Sequence, residues 1–186
     1  MRALLPALAL LAACGPPWLV VRQSGPPSAL VGARQVVVAV DYQSLTVGSL
    51  PVTTYLDGLA PDRRAAVEEV LQAMGDAFIA ELTVRLAVPV VPATAPPAPG
   101  EVRVTARFQG MVMGKYAVVY AQDSRLITAL SWSVGPTPTD EVQTDVFVPA
   151  DVTRPAILQR MQLAAGDTAA LAAEFFRREQ TRAPEE

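Results

Sequence analysis

The sequence predicts an α+β fold, a two-layer sandwich in which a mostly antiparallel sheet of four to five strands carries two helices on one face. Three observations lead there. Between residues 61 and 86 apolar side chains recur at spacings of three and four, and a second such stretch closes the chain. From 101 to 148, alternating and β-branched runs follow one another with short breaks, and strands joined by short turns pair antiparallel. Each helix has one apolar stripe to bury, and a shared sheet face buries both.

Taken in order, Gln35 to Leu45 reads QVVVAVDYQSL, too rich in valine for a one-sided strand, so its first half is expected to be buried on both faces. Pro61 then opens a helix where its missing N–H costs nothing, and Asp62 favours the helix dipole. Val67, Val70, Leu71, Met74, Phe78, Leu82 and Leu86 form its buried stripe, while Arg64/Glu68 and Glu81/Arg85 pair on the outer face. The helix ends by Pro89, and Val88 to Val91 predicts a short edge strand. The proline-rich stretch Pro92 to Gly100 reads as an exposed, semi-rigid spacer.

Glu101 to Val112 alternates, with Val102, Val104, Ala106, Phe108 and Val112 on the buried face. Tyr116 to Ala121 and Leu126 to Val134 predict a hairpin across a four-residue turn, and Val142 to Val148 a further strand. Thr153 is placed to cap the last helix, with Pro155 in its first turn and Ile157, Leu158, Met161, Leu171, Phe175 and Phe176 as its apolar contacts. Gly166 interrupts that helix with a poor helix former.

The chain begins differently. Ala3 to Leu11 is an apolar run about half the roughly 20 residues that a membrane-spanning helix needs. Leu11-Ala12-Ala13-Cys14 follows, and the composition then changes abruptly to Gly15-Pro16-Pro17. This arrangement resembles the lipobox of bacterial lipoproteins. The resemblance implies a signal-peptidase motif at Leu11, Ala12 and Ala13, removal of residues 1–13, and diacylglycerol and acyl groups on Cys14. Several acyl chains together anchor a protein stably. Two Gly/Pro segments, Gly15-Pro16-Pro17 and Gly25-Pro26-Pro27-Ser28, argue against regular structure, so residues 14–33 are expected to be a flexible tether. Trp18 suits either the headgroup layer or a place on the domain. A single domain over 34–180 and a disordered tail over 181–186 complete the expected organisation.

Composition excludes several functions. Removing Arg2 with the leader leaves 14 basic and 18 acidic side chains, a net charge of −4, with no basic run to grip nucleic acid or anionic lipid. Histidine is absent, which removes the usual general base, the commonest metal ligand and every triad built on imidazole. Cys14 is the sole cysteine, so a lipidated chain has no thiol chemistry and no internal disulfide. A Ser-Lys pair would have to join Lys115, the one lysine, to Ser131 or Ser133. Gly110-Met111-Val112-Met113-Gly114 lacks the Lys-Ser/Thr and the helix of a phosphate loop and reads as a kinked strand or a close backbone approach. Asp140, Glu141, Asp145 and Asp151 are the one local group of hard oxygen ligands, without the spacing or turn glycine of a calcium loop. No cofactor and no metal is expected, and the chain is read as non-enzymatic.

With the lipobox, the strand region 103–134 and the closing helix 153–178, the chain resembles the small α/β lipoproteins of Gram-negative outer membranes. Its order of elements is also similar to the auxiliary lipoproteins of ABC-type lipid transport systems, in which Glu101 to Phe108 (EVRVTARF) would be the central strand. The expected function is a lipid-anchored, partner-binding or assembly component of the cell envelope, with transport auxiliary as the alternative. Gly15 after the cysteine, where an inner-membrane retention signal typically has Asp, implies the outer membrane, with the domain in the periplasm.

Overall fold

The computed structural model describes residues 16–117 and 120–182. Cys14 and the Leu11, Ala12 and Ala13 motif lie outside the described residues. The chain forms, in order, β1 (Leu19–Arg22), β2 (Val36–Asp41), β3 (Thr46–Val47), β4 (Leu50–Pro51), α1 (Val52–Asp57), α2 (Pro61–Arg85), β5 (Val90–Pro92), β6 (Val102–Val112), β7 (Lys115–Ala117), β8 (Tyr120–Gln122), β9 (Ser124–Val134), β10 (Thr137–Val148) and α3 (Ile157–Thr181). Helices and sheet coexist as expected, but the sheet is larger than four to five strands. Eight strands join it, along β1-β10-β9-β6-β2-β5 with β3 and β4 to the side, and β7–β8 is a separate hairpin.

The long ladders β10–β9 and β9–β6 are antiparallel, whereas β2 runs parallel to both β5 and β6. α2 lies between β2 and β6 in sequence and forms the crossover that a parallel pair requires. Its stripe falls where the spacing put it: Val67, Val70, Met74, Phe78, Leu82 and Leu86 are buried and Leu71 partly so. Phe78 meets Phe108 of β6 edge to face at 6.3 Å. On α3, Phe175 and Phe176 stack against Trp132 of β9 at 6.4 and 5.2 Å. Both helices therefore share the inner sheet face with Val36, Val38, Val104, Leu130 and Val142.

A glycine in mid-helix at Gly75 is explained by the strand beneath it. The Tyr42 hydroxyl donates to the Leu71 carbonyl at 2.6 Å, and a Cβ on Gly75 would stand 2.8 Å from that hydroxyl. Burial pushes the Tyr42 phenol up to about 12, because its charged form would lose water.

Five expectations are corrected. Residues 14–33 are not a flexible tether over their described part: Leu19–Arg22 pairs with β10 as an edge strand, and Trp18 is buried against Phe175 at 6.0 Å. The cause is long-range polar latching, in which Asp140 accepts from the Ser24 N–H at 2.7 Å, Glu179 accepts from Gln23 at 2.6 Å, and Gln180 donates to the Ala33 carbonyl at 3.1 Å. Of the expected disordered tail, Thr181 ends α3 and Arg182 donates to the Ser24 carbonyl, and residues 183–186 lie outside the described residues. On β6 a bulge between Phe108 and Gly110 shifts the register, so Met111 is buried instead of Val112. The predicted hairpin joining 116–121 to 126–134 is replaced by β6–β9 pairing, with β7–β8 inserted at its end. Thr153 does not cap α3; its N–H and hydroxyl bond to Asp151, and the helix starts beyond Pro155, which disfavours helical geometry in the residue before it.

Two outcomes follow. Phe78→Ala should cost roughly 3 to 5 kcal/mol in urea unfolding, because a fully buried ring is lost from between α2 and β6. Tyr42 has a folded-state pKa raised above its unfolded value, so its contribution is complete below about pH 10 and declines as pH rises toward about 12. Tyr42→Phe should therefore flatten the fall in stability across that alkaline window, measured by chemical unfolding at stepped pH.

Candidate functional site

The structure disperses the candidate ligands and nucleophiles. Asp140 is buried and spent on Ser24, Asp145 pairs with Arg125, and Asp151 closes its own turn. Hydrogen bonds from Arg154 and then from Thr153 hold the Asp151 carboxyl well below the usual carboxylate range. Glu141 alternates with Asp140 and points to the opposite face of β10. Among the described residues no three His, Cys, Asp or Glu side chains come together to hold a metal. Lys115 follows β6 at the end where Val112 pairs with Arg125, whereas Ser131 lies six residues further along β9, about 20 Å at 3.3 Å per residue. No Ser-Lys pair forms.

What remains uncovered is the outer face of the sheet. α2 and α3 occupy the inner face, and β6, β9 and β10 turn Thr105, Arg107, Gln109, Ser131, Ser133 and Gln143 the other way. Apart from Glu141, its charges pair among the described residues. Asp41 and Arg107 pair across β2–β6 at 3.6 Å, and Arg125 grips Asp145 with two bonds of 2.8 and 2.6 Å. Gln143 donates to Gln109 at 3.5 Å across the intervening β9, above the small, buried Ala129. Arg103, bonded to Glu101 and to the Ala95 carbonyl, ties the proline-rich 92–100 segment over one end. Such a face offers neutral hydroxyl and amide groups between paired charges, which suits a partner recognised by hydrogen bonds at short range.

Sequence reasoning missed the most unusual side chain, Arg160. It is fully buried, without a carboxylate partner among the described residues, and its guanidinium donates to the Ser124 hydroxyl at 2.9 Å and to the carbonyls of Arg154, Pro155 and Met113 at 2.8, 2.6 and 3.3 Å. A signal was present, since Arg160 shares a helical face with the buried Ala164 and Thr168 at spacings of four. Arg160 joins the start of α3 to the base of the β7–β8 hairpin, where Gly114 has φ +68° and a Cβ would collide with the Gln122 and Asp123 backbone. The kinked strand and close approach expected at Gly110–Gly114 are both present. Beside this junction lies an apolar groove of about 300 Å³ open to solvent, lined by Val67, Val70, Met113, Ile157 and Leu158.

No family model matches the chain, and no curated protein does. Among solved structures it is similar to the PelC dodecamer from Paraburkholderia phytofirmans in space group P6, at 9% identity and TM-score 0.44, covering 82% of this chain and 96% of that one. A second PelC dodecamer from the same organism, in space group C2, gives 10% identity, TM-score 0.44 and coverages of 83% and 95%. A crystal structure of an uncharacterized protein gives 11%, TM-score 0.40 and coverages of 76% and 91%. Likeness at these scores carries no argument about function.

Arg160→Met should destabilise the domain by roughly 1 to 3 kcal/mol, because the Ser124 hydroxyl and three carbonyls lose their donor. Arg160→Lys should not restore it, since an ammonium cannot reproduce the planar fork. Equal unfolding midpoints for wild type and Arg160→Met would show that the node contributes nothing.

Proposed function

We propose that this chain is a non-enzymatic lipoprotein of the cell envelope, anchored through lipid on Cys14, whose domain binds a protein partner in the periplasm beside the outer membrane. The uncovered outer sheet face is the observation that carries the reading. A face furnished with Thr105, Gln109, Ser131 and Gln143 between matched ion pairs resembles the polar composition of non-obligate interfaces. The dispersal of Asp140, Asp145 and Asp151 into structural bonds supports a binding role over hydrolysis. No helix among the described residues is long and apolar enough to cross a membrane, so attachment rests on the lipid.

The groove beside Met113 favours a second reading, an auxiliary lipoprotein of an ABC-type lipid transport system, in which an apolar ligand occupies Val67, Val70, Ile157 and Leu158.

Metabolic labelling with an acyl probe should mark wild type and leave Cys14→Ser unmarked; equal labelling of both would remove the anchor. Density-gradient fractionation should place the labelled protein with outer membranes. A photo-crosslinking residue at Ser131 should capture a discrete partner in the native envelope, whereas the same residue at Arg63, on the exposed side of α2, should not. Capture at both positions alike, or at neither, would refute the sheet face as the interface. Recovery of a transporter component at Ser131 would select the second reading.

A further inference from the structure

The annexation of residues 18–33 by the domain leaves very little chain between Cys14 and folded structure. Three residues, Gly15, Pro16 and Pro17, separate Cys14 from the buried Trp18, and even a fully extended chain spans at most about 14 Å over those four steps. The headgroup layer alone occupies about 5 to 8 Å of a leaflet. A domain of this size has a radius of gyration of roughly 15 Å, so it cannot stand clear of a bilayer to which Cys14 is fixed. The edge that begins at Trp18 must face the lipid.

That edge is apolar over its first three residues and ends on the exposed Arg22. Leu19 and Val21 of β1 are 64% and 58% exposed, and Val20 is 41% exposed. Leu19 lies opposite Gln143 on the outer side of β10, where Phe147, 58% exposed, follows four residues on. The ladder runs antiparallel, so Phe147 sits toward the end from which Pro16 leads back to Cys14. Of the charges nearby, Arg125, held against the Phe147 ring at 5.0 Å, is neutralised by Asp145, while Arg178 lies over the Trp18 ring at 5.3 Å and Arg22 ends the strand. Large exposed apolar side chains grouped at one edge mark an interaction surface, and this one is within reach of the membrane by chain length alone.

We propose that the β1 edge, through Leu19, Val21 and Phe147, docks on the phospholipid surface and fixes the orientation of the domain on its membrane. The inference rests on the lipoprotein reading of Cys14. Docking is chiefly by apolar insertion. The centre of the outer face, around Ser131, then stands off the bilayer and remains open to a protein.

The test uses the full lipidated chain in vesicles of phosphatidylethanolamine and phosphatidylglycerol with brominated acyl chains. An environment-sensitive dye is attached in turn through Leu19→Cys, Val21→Cys and Val84→Cys, the last on the exposed side of α2. Dye at positions 19 and 21 should shift to the blue and be quenched by bromine several-fold more than dye at 84, at low and high salt alike. Equal, aqueous spectra at all three positions would overturn the docking. A blue shift at 19 and 21 without bromine quenching would also overturn it, by showing that a protein strand covers the edge. Intact mass separates the two levels of failure: dye found on Cys14 itself means the cysteine carries no lipid, and the anchor reading falls first.

Discussion

Trp132 is the side chain on which the arrangement depends. It sits fully buried in β9, the strand that pairs with both β6 and β10, and it stacks on Phe175 and Phe176 of α3. Phe175 in turn takes the edge of Trp18, so one aromatic cluster joins the centre of the sheet, the last helix and the first strand. Aromatic groups of this size bury large areas and prefer the offset and edge-to-face geometries seen here. α2 enters the same inner face through Phe78 and Phe108. Two helices so committed leave no cover for the other face, and the open surface follows from the packing of the closed one.

Polar groups decide the boundaries of the domain. Asp140 and Glu179 are buried carboxylates, each accepts a hydrogen bond from a residue of the 23–24 segment, and Glu179 also pairs with Arg182 at 3.1 Å. Burying a carboxylate without partners costs several kcal/mol, so these contacts tie the first strand to the body as firmly as its apolar side chains do. Arg160 performs the same service at the opposite junction, where it satisfies three carbonyls and the Ser124 hydroxyl around the start of α3. Because α3 lacks a side-chain cap, the position of its first turn is set by this node and by the Asp151 turn before it.

Local backbone shifts shape the surfaces as well as the core. The bulge at Gly110 re-aims the end of β6, bringing Met111 inward and delivering Met113 to the apolar groove. The latch at Ser24 holds the chain from Trp18 onward against the body, so that β1 is fixed at the edge of the sheet. Both effects act on surfaces by moving backbone, with no change in the chemistry of the exposed groups.

The sequence by itself determined what local periodicity and composition can encode. The α2 stripe from Val67 to Leu86, the doubly buried start of β2, the alternation of β6 up to Phe108, and the lack of imidazole and spare thiol are all legible from neighbours within a few residues. Only the tertiary structure decided that Leu19–Arg22 is a strand, that Arg160 is buried, and that eight strands join one sheet. The reason is range. The partners that capture Gln23 and Ser24 lie 156 and 116 residues away, and Arg160 is satisfied across 36 and 47 residues by Ser124 and Met113. A Gly/Pro-rich segment carries no periodic signal of such capture, and a buried arginine is stable only where acceptors from several elements converge. Those acceptors exist only once the chain has folded.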